Sequence, residues 1–437
     1  MRALLYILTI LWFRVGCALG LSVLDFGAVA DGLTDDTAAF QQAVNAAAQT
    51  GGTVLAPAGK YRIEGSIRLL GVSLQGENTA PRSWYPLNGT VILATGGRDD
   101  ENGAPLFDLR NSSAVRGLTV YYPEQNVDDI RPYPWTFRIG GDDLERDITF
   151  DCTIENITLI NSYNGIRTGP AENGRHRINS VFGCVLSRGI FVQSTGDVGR
   201  IENVQFHCHF WAHPESGGDF GKVFNYMQKN LRAFIIGRSD WEYMTNTFVF
   251  PAHIGYHFIA TETAAGWNGG CNGQFSGLGA DAAEICVQVD DIQSMGLLIT
   301  NGQFNSHLHG EATQIIISPT NTGSVRFVNC GFWGPVNHNA AIHGDGYVSF
   351  SNCYFSNNND TQEYSIVAES GRVQISQCTF DAVKSSGIAG TWVYTGEKTQ
   401  PPAVYIGSDI THAVVTDNNG YRGVRIENRA GEKAVIR

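Results

Sequence analysis

Two carboxylates and two aromatic rings stand in one unbroken run, Asp240-Trp241-Glu242-Tyr243. On an extended strand alternate side chains share a face, so Asp240 and Glu242 would lie about 7 Å apart. An inverting glycosidase uses two carboxyl groups at roughly that separation, one protonating the leaving oxygen and one activating water. Sugar rings have apolar faces that stack on indole and phenol, which gives Trp241 and Tyr243 a place beside the pair. Arg238 precedes the run, and Trp211, His213 and Trp267 add further candidate sugar contacts. The structural alternative is a solvated charged edge next to packed tryptophans.

A second pair, Asp290-Asp291, follows an expected strand at 285–289. It is either catalytic or a set of turn carboxylates that accept hydrogen bonds. His307 and His309 come next, suited to orient a carboxylate or meet a sugar hydroxyl. Arg138, Arg146, Arg167, Arg175, Arg177 and Arg188 cluster in sequence. If their side chains converge they can hold uronate carboxylates bidentately; otherwise they keep strand edges soluble. His207-Cys208-His209 is the most metal-like string. Alternation sends both imidazoles to one face and the thiol to the other, so neither a metal site nor a cofactor is expected.

The elements that must position these residues announce themselves near the C-terminal half. Val-Arg-Phe-Val-Asn-Cys-Gly-Phe (325–332), Val-Ser-Phe-Ser-Asn-Cys-Tyr-Phe (348–355) and Val-Gln-Ile-Ser-Gln-Cys-Thr-Phe (373–380) repeat one pattern, and a looser copy occupies 297–304. Cys330, Cys353 and Cys378 are 23 and 25 residues apart. A repeat of that length built from short alternating strands is one coil of a solenoid, which buries its apolar face on its neighbours. The cysteines and phenylalanines should stack inside, with Asn329, Asn352 and Gln377 in register at a turn. The expected fold is all-β: a single-stranded right-handed parallel β-helix.

The chain has 437 residues and a net charge of −12. Residues 1–20 read as a signal peptide, with Arg2, an apolar core at 4–13 and the small-x-small site Ala18-Leu19-Gly20. Val15-Gly16-Cys17 offers a lipoprotein alternative. Cleavage would remove two arginines and no acid, giving −14. Such a chain is not expected to bind nucleic acid or an anionic membrane through its overall field. A secreted or periplasmic location is expected, with residues 21–437 as one domain. Segments 121–148 and 210–250 interrupt the rhythm, and insertions on a repetitive scaffold are read as walls of a groove.

A helix should follow Asp35 or Asp36, with Phe40, Ala43, Val44 and Ala47 on one face, and residues 21–65 should cap the open end of the solenoid. Asp25-Phe26-Gly27-Ala28, Asp31-Gly32, Thr34-Asp35-Asp36-Thr37, Gly51-Gly52-Thr53-Val54 and Pro57-Ala58-Gly59-Lys60-Tyr61 together resemble the opening of the pectate-lyase-like superfamily. The likeness is strongest to the branch related to family 28 glycoside hydrolases, such as polygalacturonases and rhamnogalacturonases. The resemblance implies a secreted carbohydrate-active β-helix. It does not extend to that family's active site, because Asn272-Gly-Gln stands where Asn-x-Asp is expected upstream of Asp290-Asp291. A glycoside hydrolase acting on a polysaccharide is therefore the leading expectation. The rivals are a β-eliminating polysaccharide lyase, disfavoured by few lysines, and a non-catalytic glycan-binding β-helix.

Overall fold

The computed structural model describes residues 20–82, 85–263, 266, 268–306, 312–357, 363–388 and 391–437. All but the last residue of the expected signal peptide, together with Trp267, His307 and His309, lies outside them. The rest winds as a parallel β-helix whose coils lay rungs in three sheets. In the first sheet Val325 sits on Val348, Val373 and Ala413. In the second, Phe304, Phe332, Phe355 and Phe380 are in register. In the third, Phe137, Ile166, Ile190, Phe234, Tyr256, Val287 and Ile315 form one buried column.

The corner between the first and second sheets follows from backbone chemistry. Each coil bends there at one residue with positive φ, including Asn203, Asn246, Asn301, Asn329, Asn352 and Gln377. Asparagine tolerates this left-handed conformation better than most residues. Its amide also links coils: Asn329 donates to Asn301 at 2.7 Å and Asn352 to Asn329 at 3.3 Å. Just past the corner the thiols of Cys330, Cys353 and Cys378 turn inward, each donating to a carbonyl of the preceding coil at 3.5–3.7 Å. The phenylalanines behind them stack with centroids 5.3, 4.9 and 4.8 Å apart.

Helix α1 (Thr37–Ala48) closes the N-terminal end with Phe40, Ala43, Val44 and Ala47 buried. The Asp35 carboxylate accepts the Thr37 N–H, while Asp36 turns back to accept from Val29 and Ala30. The two interruptions are smaller than the sequence suggested. Trp135–Ile139 is a regular rung of the third sheet, and Arg232–Ile236 and Ser239–Phe250 are rungs of the coil. The real excursion is 208–231, two short 3-10 turns and helix α2 (Phe220–Asn230), which packs Val223 and Met227 against the solenoid. Near the C-terminus the strand Thr379–Ile388 starts as a rung of the second sheet and from Ala382 runs on as an antiparallel hairpin with Thr391–Thr399.

Candidate functional site

A bulge between Ser239 and Glu242 decides the fate of the run at 240–243. Trp241 takes φ +61°, which breaks the alternation. Glu242 therefore turns into the core, fully buried, with its carboxylate 3.0 Å from His176 Nε2 and accepting from Ser239 Oγ at 2.7 Å. Asp240 turns outward, clamped by Arg238 at 2.6 and 2.9 Å, and hydrogen bonds from Arg238 hold its pKa below the usual carboxylate range. The expected pair across a cleft is thus absent: one carboxylate is sealed inside and the other is tied to an arginine.

Asp290 and Asp291 diverge as well. Asp290 accepts from His257 at 2.7 Å, Ser318 at 2.5 Å and Gln288 at 2.9 Å. Burial would raise its pKa, but these hydrogen bonds outweigh it and hold the group far below the ordinary range. Asp291 is pushed up by burial, opposed by the Gly270 N–H. Trp211 is fully buried and donates to the Ser216 carbonyl at 2.8 Å, which makes it packing rather than a sugar platform. The His213 ring stacks on Tyr85, and its Nδ1 accepts from the Glu215 N–H. Tyr243 lies under Arg200 on the first sheet. His207 and His209 do stack, 4.7 Å apart, although the strand ends at His207. Among the described residues no three His, Cys, Asp or Glu side chains group as metal ligands.

The convergence lies instead on the outward face of the third sheet. Arg68, Asp108, Arg138, Arg167, Phe191, Ile235, His257 and Gln288 occupy successive rungs of one row. Asp108 is nearly buried, pairing with Arg110 and Arg138, and Arg138 also reaches Asp142 at 2.5 Å. Arg167 is different. It makes no ion pair or hydrogen bond with any described residue, and its Nε is buried without a partner. Burial lowers its pKa; Asp142 opposes that, and the positive Arg138 and Arg188 add to it.

Arg188 lies over the Trp135 ring at 4.7 Å, donates to Asn164 and pairs with Glu101. Trp135 in turn meets Phe191, the neighbour of Arg167 in the row. Glu101, Tyr163 and Arg232 are close enough to act on the charge of Arg188. Tyr226 of α2 lies within the field of Tyr163 and Glu101, and burial pushes its hydroxyl up to about 12. A cavity of about 180 Å³ lined by Glu64, Asp100, Tyr122 and Trp135 adjoins this cluster.

Of the six clustered arginines, then, three converge: Arg138, Arg167 and Arg188. Arg146 and Arg175 pair with surface aspartates, and Arg177 belongs to the first sheet. Sequence reasoning missed His257, Tyr163, Tyr226, Arg232 and Glu101. The signal for the row was present in the triplets Phe137-Arg-Ile, Ile166-Arg-Thr, Ile190-Phe-Val and Phe234-Ile-Ile, whose central residues point outward.

Residues 20–85 match the family model "Rhamnogalacturonase A/epimerase, pectate lyase-like". Mannuronan C5-epimerase AlgE4 of Azotobacter vinelandii is 52% identical over 141 residues, 30% of this chain and 25% of that protein. AlgE5 of the same organism is 60% identical over 45 residues, 10% of this chain and 4% of that protein. The matches thus span a quarter or less of these relatives' length. In solved structures the A-module of A. vinelandii AlgE6 superposes with a TM-score of 0.57 at 15% identity, covering 95% of this chain and 98% of that one. The N-terminal fragment of bacteriophage phi29 gene product 12 gives 0.60 at 13%, covering 94% and 72%. These two likenesses show the fold alone.

The expected glycoside hydrolase is corrected by these findings. The relatives are mannuronan C5-epimerases rather than glycoside hydrolases, and Asp240 and Glu242 do not face one another. The match over residues 20–85 and the three-sheet coil together support the resemblance to the pectate-lyase-like superfamily of parallel β-helix proteins.

Proposed function

We propose that this protein binds a uronate-containing polysaccharide along the third sheet and acts at the carbon beside the carboxylate, as an epimerase or a β-eliminating lyase does. The observation that carries the reading is Arg167, a partly buried guanidinium without a counter-ion, flanked by two more arginines. Holding such a charge is costly unless an anion arrives to pair with it. A uronate carboxylate fits, because its two oxygens match the guanidinium fork.

The same contact prepares the chemistry. When the proton beside a carboxylate leaves, the electron pair spreads onto the carboxylate oxygens, where fixed positive charge stabilises it. Tyr163, in the field of Arg188, is the proposed proton carrier. In epimerisation the C–H bond breaks, the proton passes to the base, and a proton returns on the opposite face of the carbon. In β-elimination the electron pair instead expels the glycosidic oxygen from the next carbon, leaving a double bond and a new hydroxyl. The AlgE relatives favour the first outcome. A polymeric substrate also fits export through the leader read at residues 1–20.

The test is incubation with polymannuronate and polygalacturonate in deuterated water, followed by proton NMR and near-ultraviolet absorbance. Epimerisation puts deuterium beside the carboxylate without unsaturated ends, whereas elimination produces the absorbance. Arg167→Ala and Tyr163→Phe should each lower the rate by about 100-fold or more. Binding with neither signal, on any polyuronate, would refute the catalytic reading and leave a glycan-binding module.

A further inference from the structure

Round the next corner, on the first sheet, a cleft of about 240 Å³ opens between successive coils. Trp241 forms one wall and Met295 another, 53% and 70% exposed. Gln274, Leu298 and Arg326 occupy neighbouring rungs of the floor. Arg326 pairs with no carboxylate, and the Gln274 amide makes no hydrogen bond, among the described residues. The combination is an apolar ring face, a flexible thioether, a free amide and a free cation.

The way Trp241 is held separates this cleft from an accidental surface groove. A bulky residue at φ +61° is a backbone outlier, and such outliers persist only where the surroundings fix them. Here the Trp241 N–H donates to Asn272 Oδ1 at 3.1 Å, and Asn272 donates to Gln293 at 2.7 Å. Gln293 donates to Asp240, which Arg238 clamps. Four polar side chains thus fix a bulge whose effect is to stand an indole out into solvent. The indole is left about half exposed, 53%, at the mouth of the cleft.

We infer that this cleft is a second saccharide-binding site, with one sugar ring stacked on Trp241 and a uronate carboxylate or hydroxyl on Arg326 and Gln274. It lies on a different sheet from Arg167 and several coils further along the axis. It would hold polymer without taking part in the reaction. The uronate reading enters only in the charge assigned to the ligand.

The experiment is affinity electrophoresis of the full chain in gels carrying polymannuronate, polygalacturonate or a neutral glucan. Trp241→Ala and Arg326→Ala should weaken retention by about fivefold or more, with Trp241→Phe restoring most of the loss from Trp241→Ala. Turnover of short oligouronates should stay unchanged, whereas Arg167→Ala should abolish it. Trp241→Gly keeps the left-handed backbone without strain and removes the indole, so it should lose retention as Trp241→Ala does. Retention of Trp241→Ala equal to the unmodified protein in all three gels overturns the inference, whatever happens at Arg167. Loss of Trp241-dependent retention in the neutral gel alone upholds the second site and removes the uronate assignment.

Discussion

At Asp290 burial and hydrogen bonding act in opposite directions, and the hydrogen bonds from His257, Ser318 and Gln288 prevail. A carboxylate whose folded pKa lies below its unfolded value of about 4 stabilises the fold above that value, and the contribution fades as pH falls from there. Asp290→Asn should therefore lower the melting temperature at pH 7, and the gap from the unmodified protein should close as pH is taken below about 4. A gap constant with pH would mean that the side chain contributes shape rather than charge. The same residue shows what the sequence hides. Asp290 and Asp291 look equivalent in the chain, yet one is tied by three donors and the other is pushed up by burial. Asp240 and Glu242 misled for a different reason. Strict alternation puts them on one face, but a single left-handed residue between them sends them to opposite ones.

Stacked rungs make the element scale more legible, because a coil that buries identical side chains on one another writes its period into the sequence. The phenylalanine column is the clearest case. Phe332 is fully buried between Phe304 and Phe355, with Phe327 and Phe350 edge-on to it. Phe332→Ala removes a ring from both stacks at once and should cost about 3–5 kcal/mol in denaturant unfolding. Each coil touches only its neighbours, so the loss should appear first as local opening around Gly331–Gly334 in hydrogen exchange and spare α1 at the far end. Uniform loss of protection along the whole chain would contradict that picture. The segments 121–148 and 210–250 were harder to read because loop and rung alternate within them. Trp135–Ile139 and Arg232–Ile236 carry the third sheet through stretches whose composition reads as insertion.

On the scale of the molecule, the solenoid turns residues far apart in sequence into a straight row. Arg138, Arg167, Phe191, Ile235 and His257 stand 29, 24, 44 and 22 residues apart, yet occupy consecutive rungs. Unequal loops between equal rungs are why no spacing rule could reveal the row before the coil register was known. From Arg68 to Gln288 it crosses eight strands, a length of about 34 Å at the usual strand spacing. The strand spacing is close to the length of one pyranose unit, so a polysaccharide lying along the axis would present about one sugar per rung. The proposed orientation therefore has a measurable consequence. Affinity for oligouronates of increasing length should climb to about eight units and then level off, with Arg167→Ala lowering the whole curve. A chain crossing the axis would meet only the width of one sheet and level off after two or three units. That early plateau would leave Arg167 as an anion contact but remove the row as its track.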